Sequence, residues 1–147
     1  MDTKQIERML ALDSRTKDVV RGVVAKDELP TTIVGACPTA FVCNTHDADK
    51  PGQHWIVIYI DGDRGEYFDS YGLPPLHTTF RTFLNNCCVE WTYNNTTLQS
   101  PLSNVCGQYC VAYLLFRCRN VPMKMFANLF GKDLVANDCR VFDWINV

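Results

Sequence analysis

His54-Trp55-Ile56-Val57-Ile58-Tyr59-Ile60-Asp61-Gly62-Asp63-Arg64-Gly65-Glu66-Tyr67-Phe68-Asp69-Ser70 is the stretch on which the fold turns. From 55 to 60 every residue is apolar or aromatic, which suits a central strand covered on both faces. Asp61-Gly62 follows directly, and Asp-Gly between two strand-like runs favours a two-residue type I′ hairpin turn. The return strand then covers residues 63–70. With Ile60 opposite Asp63, that turn places His54 opposite Asp69, their Cβ atoms roughly 5 Å apart on one face.

Outward from this hairpin, residues 39–45 read as a strand, joined to it by a polar loop over 46–52. Residues 3–12 carry Ile6, Met9 and Leu10 at helical spacing, and the β-branched segment from Val19 to Val24 reads as an irregular lead-in. Beyond Pro74 and Pro75 a short helix is expected over 79–85. A Thr-, Tyr- and Trp-rich strand is expected over 89–98. A buried helix follows over 105–119, with Arg117 and Arg119 at the end that favours cations, and a further helix lies around 123–130. Nothing repeats and no Pro- or Ser-rich linker intervenes, so residues 1–147 form a single domain. The fold class is α+β: a mixed or antiparallel central sheet flanked by helices.

Composition narrows the function. With 47% hydrophobic and 20% charged residues the chain folds rather than staying disordered. Fourteen basic against sixteen acidic side chains give a net charge of -2, without the cationic surplus of a nucleic-acid module. No apolar run approaches the roughly 20 residues of a membrane span. The charged start, from Met1 to Arg8, resembles no secretory leader, so the expected setting is intracellular. There the eight cysteines are free thiols. Cys87 and Cys88 are adjacent, which suits a bridge between them poorly. Spacings such as Cys37 to Cys43 and Cys106 to Cys110 do not match zinc-ligand patterns, so no metal is expected. The overlapping sequons at Asn94 and Asn95 are expected to be unused.

The chemistry concentrates at the start of the buried helix. A thiol at a helix N-terminus, as at Cys106, is stabilised as thiolate by unpaired N–H groups and the dipole, and Gly107 leaves room beside it. Alone this is weak, because many cysteines leading an apolar helix are small core residues. A cysteine nucleophile also needs a histidine to take its proton and an acid to orient that histidine. His46 lies in a polar loop and His77 follows two prolines, whereas His54 borders the central strand with Asp69 across the hairpin. Gln99, seven residues before Cys106, places a side-chain amide where it can donate to an oxyanion beside the Cys106 N–H.

His54-Trp55, then Tyr67-Phe68-Asp69-Ser70-Tyr71-Gly72, then Gln99-Ser100-Pro101-Leu102-Ser103-Asn104-Val105-Cys106-Gly107-Gln108-Tyr109-Cys110 resembles the adenain-like (adenovirus-type) cysteine proteases of viruses and Polinton-type transposons. Residues 21–30 and 40–45 also resemble that family's amino-terminal portion, and the resemblance spans about residues 20–118. It implies a papain-like, ubiquitin-like-protease-type scaffold with Cys106 as nucleophile, His54 as base, Asp69 as its orienter and Gln99 as oxyanion donor. Trp55 would shield the His54 and Asp69 pair, and Trp55 and Gly107 would meet substrate. The implied activity is an endopeptidase maturing capsid or other structural precursors at Gly-containing sites, in host nucleus, cytoplasm or virion. A deconjugase of ubiquitin-like proteins and a protein-binding pseudoprotease are the alternatives. No cofactor is required by this reading. The locally acidic middle third, with three basic and seven acidic side chains over residues 37–99, argues against DNA as a required cofactor. Some adenoviral members bind an activating peptide through a cysteine before the Gln, a place similar to that of Cys88.

Overall fold

The computed structural model describes residues 1–33 and 38–146; Cys37 lies outside them. Five strands form one mixed sheet in the order β1-β2-β3-β4-β5: β1 Val20–Ala25, β2 Thr39–Asn44, β3 Trp55–Asp61, β4 Arg64–Phe68 and β5 Glu90–Tyr93. The β2-β3-β4 meander is antiparallel, while β1 joins β2 and β5 joins β4 in parallel. Helix α2 (Thr78–Cys87) supplies the crossover between β4 and β5 that a parallel pair needs.

The uninterrupted apolar run of β3 has the expected cause. Val57 and Tyr59 face one core with α1 (Thr3–Leu12), α3 (Cys106–Arg117), α4 (Met123–Ala127) and α5 (Leu134–Ile145). Ile56, Ile58 and Ile60 face the other, under Phe80, Phe83 and Leu84 of α2. Both faces of the central strand are therefore dry, and the α+β expectation holds.

The hairpin register differs from the expected one. Asp61 pairs with Arg64 and Val57 with Phe68, so the two loop residues are Gly62 and Asp63, not Asp61 and Gly62. Gly62 alone has positive φ, at 63°, which is the requirement of a type II′ rather than a I′ turn. The Asp63 carbonyl meanwhile accepts from Val89 N–H at 2.7 Å, starting the approach to β5. A shift of two residues keeps every side chain on its face, so hydrophobic alternation is blind to the difference.

Residues 20–25 are an edge strand rather than an irregular lead-in, because parallel pairing with β2 recruits the β-branched run. The strand expected over 89–98 stops at Tyr93, where Asn95 takes φ 47°. Helix α5 was not expected at all. Its start is capped by Asp133, which accepts from Ala136 N–H, and its inward face mixes Asn137 and Asp138 with Val141 and Ile145. Among the described residues no helix is long and apolar enough to cross a membrane.

Candidate active site

The sheet and α3 bring three of the expected residues to one place. His54 immediately precedes β3, and its carbonyl accepts from Thr45 N–H at 2.9 Å, extending the β2-β3 ladder. Asp69 immediately follows β4, anchored by Phe68, whose ring stacks on Tyr113 of α3 at 4.4 Å and 3°. Cys106 opens α3, which has no side-chain cap at Val105, leaving the first N–H groups free for a negative charge.

His54 Nε2 lies 2.8 Å from Asp69 Oδ1. Under the observed register His54 faces Tyr71, whose ring stacks on the imidazole at 4.7 Å and 22°, and Asp69 is reached diagonally. The pair forms because the two registers share a face. Asp69 Oδ1 also accepts from Tyr71 N–H at 2.8 Å, so the carboxylate is fixed from two sides.

Bonding His54 through Nε2 to Asp69 leaves Nδ1 for the sulfur. Burial by itself pushes the His54 imidazole down, but bonds to Asp69 and Cys106 outweigh it and lift the ring to about 9. Burial likewise pushes the Cys106 thiol up, yet His54 and the N–H groups of Trp55 and Gly107 bring it below its ordinary value. Cys43, Cys87, Cys88, Cys110 and Cys118 are all displaced upward, chiefly by burial. Among the described cysteines with a displaced thiol, Cys106 is the one moved downward, in the direction that favours the thiolate.

These groups line a cleft of about 920 Å³. Its lining includes His46, Gly52 and Gln53 of the loop before β3, Tyr71, Leu73, Pro74 and Leu76 beyond β4, and Trp55 and Ser103. Trp55 is buried, and its Nε1 donates to the Met1 carbonyl at 3.1 Å.

Three expected residues stand differently. Gln99 is fully buried and does not line the cleft. Its Oε1 accepts from Ser70 Oγ at 2.6 Å, and its Nε2 donates to Ser103 O and Oγ at 3.2 and 3.1 Å. Gly107 does not line the cleft: a Cβ there would lie 3.0 Å from Met1 Cβ and 3.4 Å from Ile6 Cδ1, so this glycine makes room for Met1 and α1. Cys88 is the C-cap of α2, not a strand residue. Its Sγ donates to Leu84 O at 2.9 Å and packs on Gly65, at the end of β4 remote from Asp69.

Sequence reasoning missed the supports of the site. Tyr71 was visible two residues beyond Asp69, but only the true register puts it on His54. Asp138 accepts from Tyr109 Oη at 2.8 Å and from Ser100 N–H at 3.3 Å, tying α5 and α3 to the segment that carries Gln99; the unexpected helix hid it. Asn94, also part of a sequon, is buried with its amide nitrogen bonded to two carbonyls, so a glycan on that nitrogen would remove at least one of the two bonds. Among the described residues no group of metal-ligating side chains is present.

A cysteine at an uncapped helix start, a histidine beside it bonded to a carboxylate and a mixed sheet packed on that helix define a cysteine-protease fold of the papain and ubiquitin-like-protease type. No family model matches the chain, and no curated protein matches it significantly. Among solved structures it resembles the ASFV pS273R protease, with TM-score 0.50 and 23% identity over 70% of this chain and 41% of that one. The selenomethionine form of the same protease gives TM-score 0.48 and 26% identity over 69% and 43%. The chain therefore spans about two fifths of the length of this viral protease.

Proposed function

We propose that the protein is a cysteine endopeptidase of the adenain-like type, cutting viral or transposon structural precursors at Gly-containing sites. The observation that carries the reading is the Cys106, His54 and Asp69 chain at the head of α3, with a 2.8 Å bond orienting the histidine. The motif resemblance over His54-Trp55, Phe68-Asp69 and Gln99 to Gly107 supports the narrower assignment. The likeness in fold to a viral protease supports the broader protease class.

In this mechanism the Cys106 thiolate attacks the scissile carbonyl carbon and the carbonyl π electrons move to oxygen. The resulting oxyanion is held by the Cys106 N–H and by Gln99 Nε2. Gln99 must share or release its bond to Ser103 to do so. The His54 imidazolium gives its proton to the departing amine as the C–N bond breaks. It then takes one from the water that hydrolyses the thioester, and the thiolate leaves.

The test is a peptide library incubated with the protein and with Cys106→Ala, with products sequenced by mass spectrometry. Internal cleavage next to glycine, absent in Cys106→Ala, is expected. Cleavage confined to the carboxyl end of a folded ubiquitin-like protein would instead make it a deconjugase, and no cleavage of either would sink the peptidase reading.

A further inference from the structure

The last partners in the β4-β5 ladder are Tyr67 and Tyr93. Two residues further the chain turns out of the strand at Asn95, and among the described pairs none continues the ladder alongside Asp69. The Asn94 side chain fills that place. Its Oδ1 accepts from the Asp69 N–H at 2.9 Å, and its Nδ2 donates to the Asp69 carbonyl at 2.7 Å and to the Thr96 carbonyl at 3.2 Å.

A carboxamide carries the same acceptor and donor as a peptide group, so Asn94 extends the sheet by one residue with a side chain. Asn94 and Asp69 are both buried, 9% and 5% exposed, and little water competes for these bonds. The opposed bonds to N–H and carbonyl resist both sliding and rotation of the Asp69 backbone. Close packing adds to the grip, because a Cβ at Gly72, where φ is 74°, would lie 2.5 Å from the Thr96 carbonyl carbon. The carboxylate so placed receives His54 Nε2 and Tyr71 N–H, each at 2.8 Å.

We propose that Asn94 is a positioning residue for the acid of the site: by clamping the Asp69 peptide groups it holds the carboxylate where it orients His54 and sustains the Cys106 thiolate. The inference rests on the Cys106, His54 and Asp69 reading above. It assigns Asn94 no contact with substrate. Its effect passes through Asp69 to the imidazole, so it belongs to the protonation of the site rather than to binding.

The test compares Asn94→Ala and Asn94→Leu with wild type and Asp69→Asn, reading the pH dependence of Cys106 alkylation by iodoacetamide together with kcat and KM on one cleaved peptide. Leu84→Ala, in the core on the α2 face, controls for general destabilisation. Both Asn94 variants should move the alkylation midpoint upward, toward that of Asp69→Asn. They should lower kcat by about tenfold, corresponding to roughly one unit of lost imidazole stabilisation, with KM little changed. Leu84→Ala should lower the thermal midpoint and leave the alkylation profile in place. If Asn94→Ala fails to fold, Asn94→Leu, which keeps nearly the same shape, decides alone. A folded Asn94 variant with the wild-type profile, or one that differs only as Leu84→Ala does, overturns the clamp while the peptidase stands. A wild-type Cys106 that alkylates like an ordinary thiol and supports no turnover overturns the peptidase reading and the clamp with it.

Discussion

Replacing Asp69 by Asn removes a charge while keeping the shape of the side chain, and its consequence can be worked through. His54 stands at about 9 instead of its ordinary 6.5. At about 1.4 kcal/mol per unit, its surroundings favour the imidazolium by about 3 kcal/mol. Burial acts in the opposite sense and only Cys106 still supports the charge, so without the carboxylate the ring falls toward its ordinary value. At that limit the imidazolium fraction at pH 8 falls from about nine in ten to about one in thirty. Cys106 owes its lowered value largely to His54, so its thiolate population falls with it. Iodoacetamide labelling of Cys106 at pH 8, followed by mass spectrometry, should slow by up to about tenfold. The labelling midpoint should rise toward the ordinary thiol range, and the alkaline limb of turnover should move down from about 9. A folded Asp69→Asn variant with unchanged labelling and turnover profiles would refute the electrostatic argument.

Two further outcomes follow from the same geometry. Gln99→Ala should lower kcat by about 10² to 10³ while leaving the rate of Cys106 labelling near wild type, since Gln99 bonds Ser70 and Ser103 and not the sulfur; equal loss in both assays would make it a structural residue only. Duplex DNA at low salt should leave peptide turnover unchanged, because Arg117 and Arg119 are engaged by Glu66 and Asp13 and phosphate binding draws on free, clustered cations; a large salt-sensitive gain would contradict the charge argument. In the same assay Cys88→Ser should keep unaided turnover and lose any response to a thiol-bearing activating peptide.

What the sequence made legible was whatever depends on pattern. The apolar run from Trp55 to Ile60 carries a doubly covered strand because both pleat faces are dry, and the helix led by Cys106 is apolar nearly all round because it lies between the sheet and α1, α4 and α5. What stayed hidden depends on events with no periodic signal. A hairpin shift of two residues changes no face, so only the φ of Gly62 selects the pairing. Val20–Ala25 becomes a strand only by tertiary pairing with β2. The helix Leu134–Ile145 turns Asn137 and Asp138 inward, and inward polar residues blur the helical pattern. Within the site, Cys106, His54 and Asp69 could be read from residue type and order. The supports, Asn94, Tyr71, Ser70 and Asp138, are ordinary polar residues whose role exists only in three dimensions. Gln99 was singled out by spacing, and the fold adds that its amide rests on Ser103.

The central claim is that Cys106, alone among the described thiols, is an activated nucleophile facing a cleft that accepts a peptide. A short peptide ending in Gly-Gly with a carboxy-terminal electrophile, incubated with the whole protein near neutral pH and followed by intact-mass and peptide mapping, addresses it directly. The account predicts one adduct per molecule, on Cys106, and its disappearance in His54→Ala. Adducts spread over Cys87, Cys88 and the exposed Cys139, or labelling of Cys106 that survives loss of His54 at full rate, would contradict it.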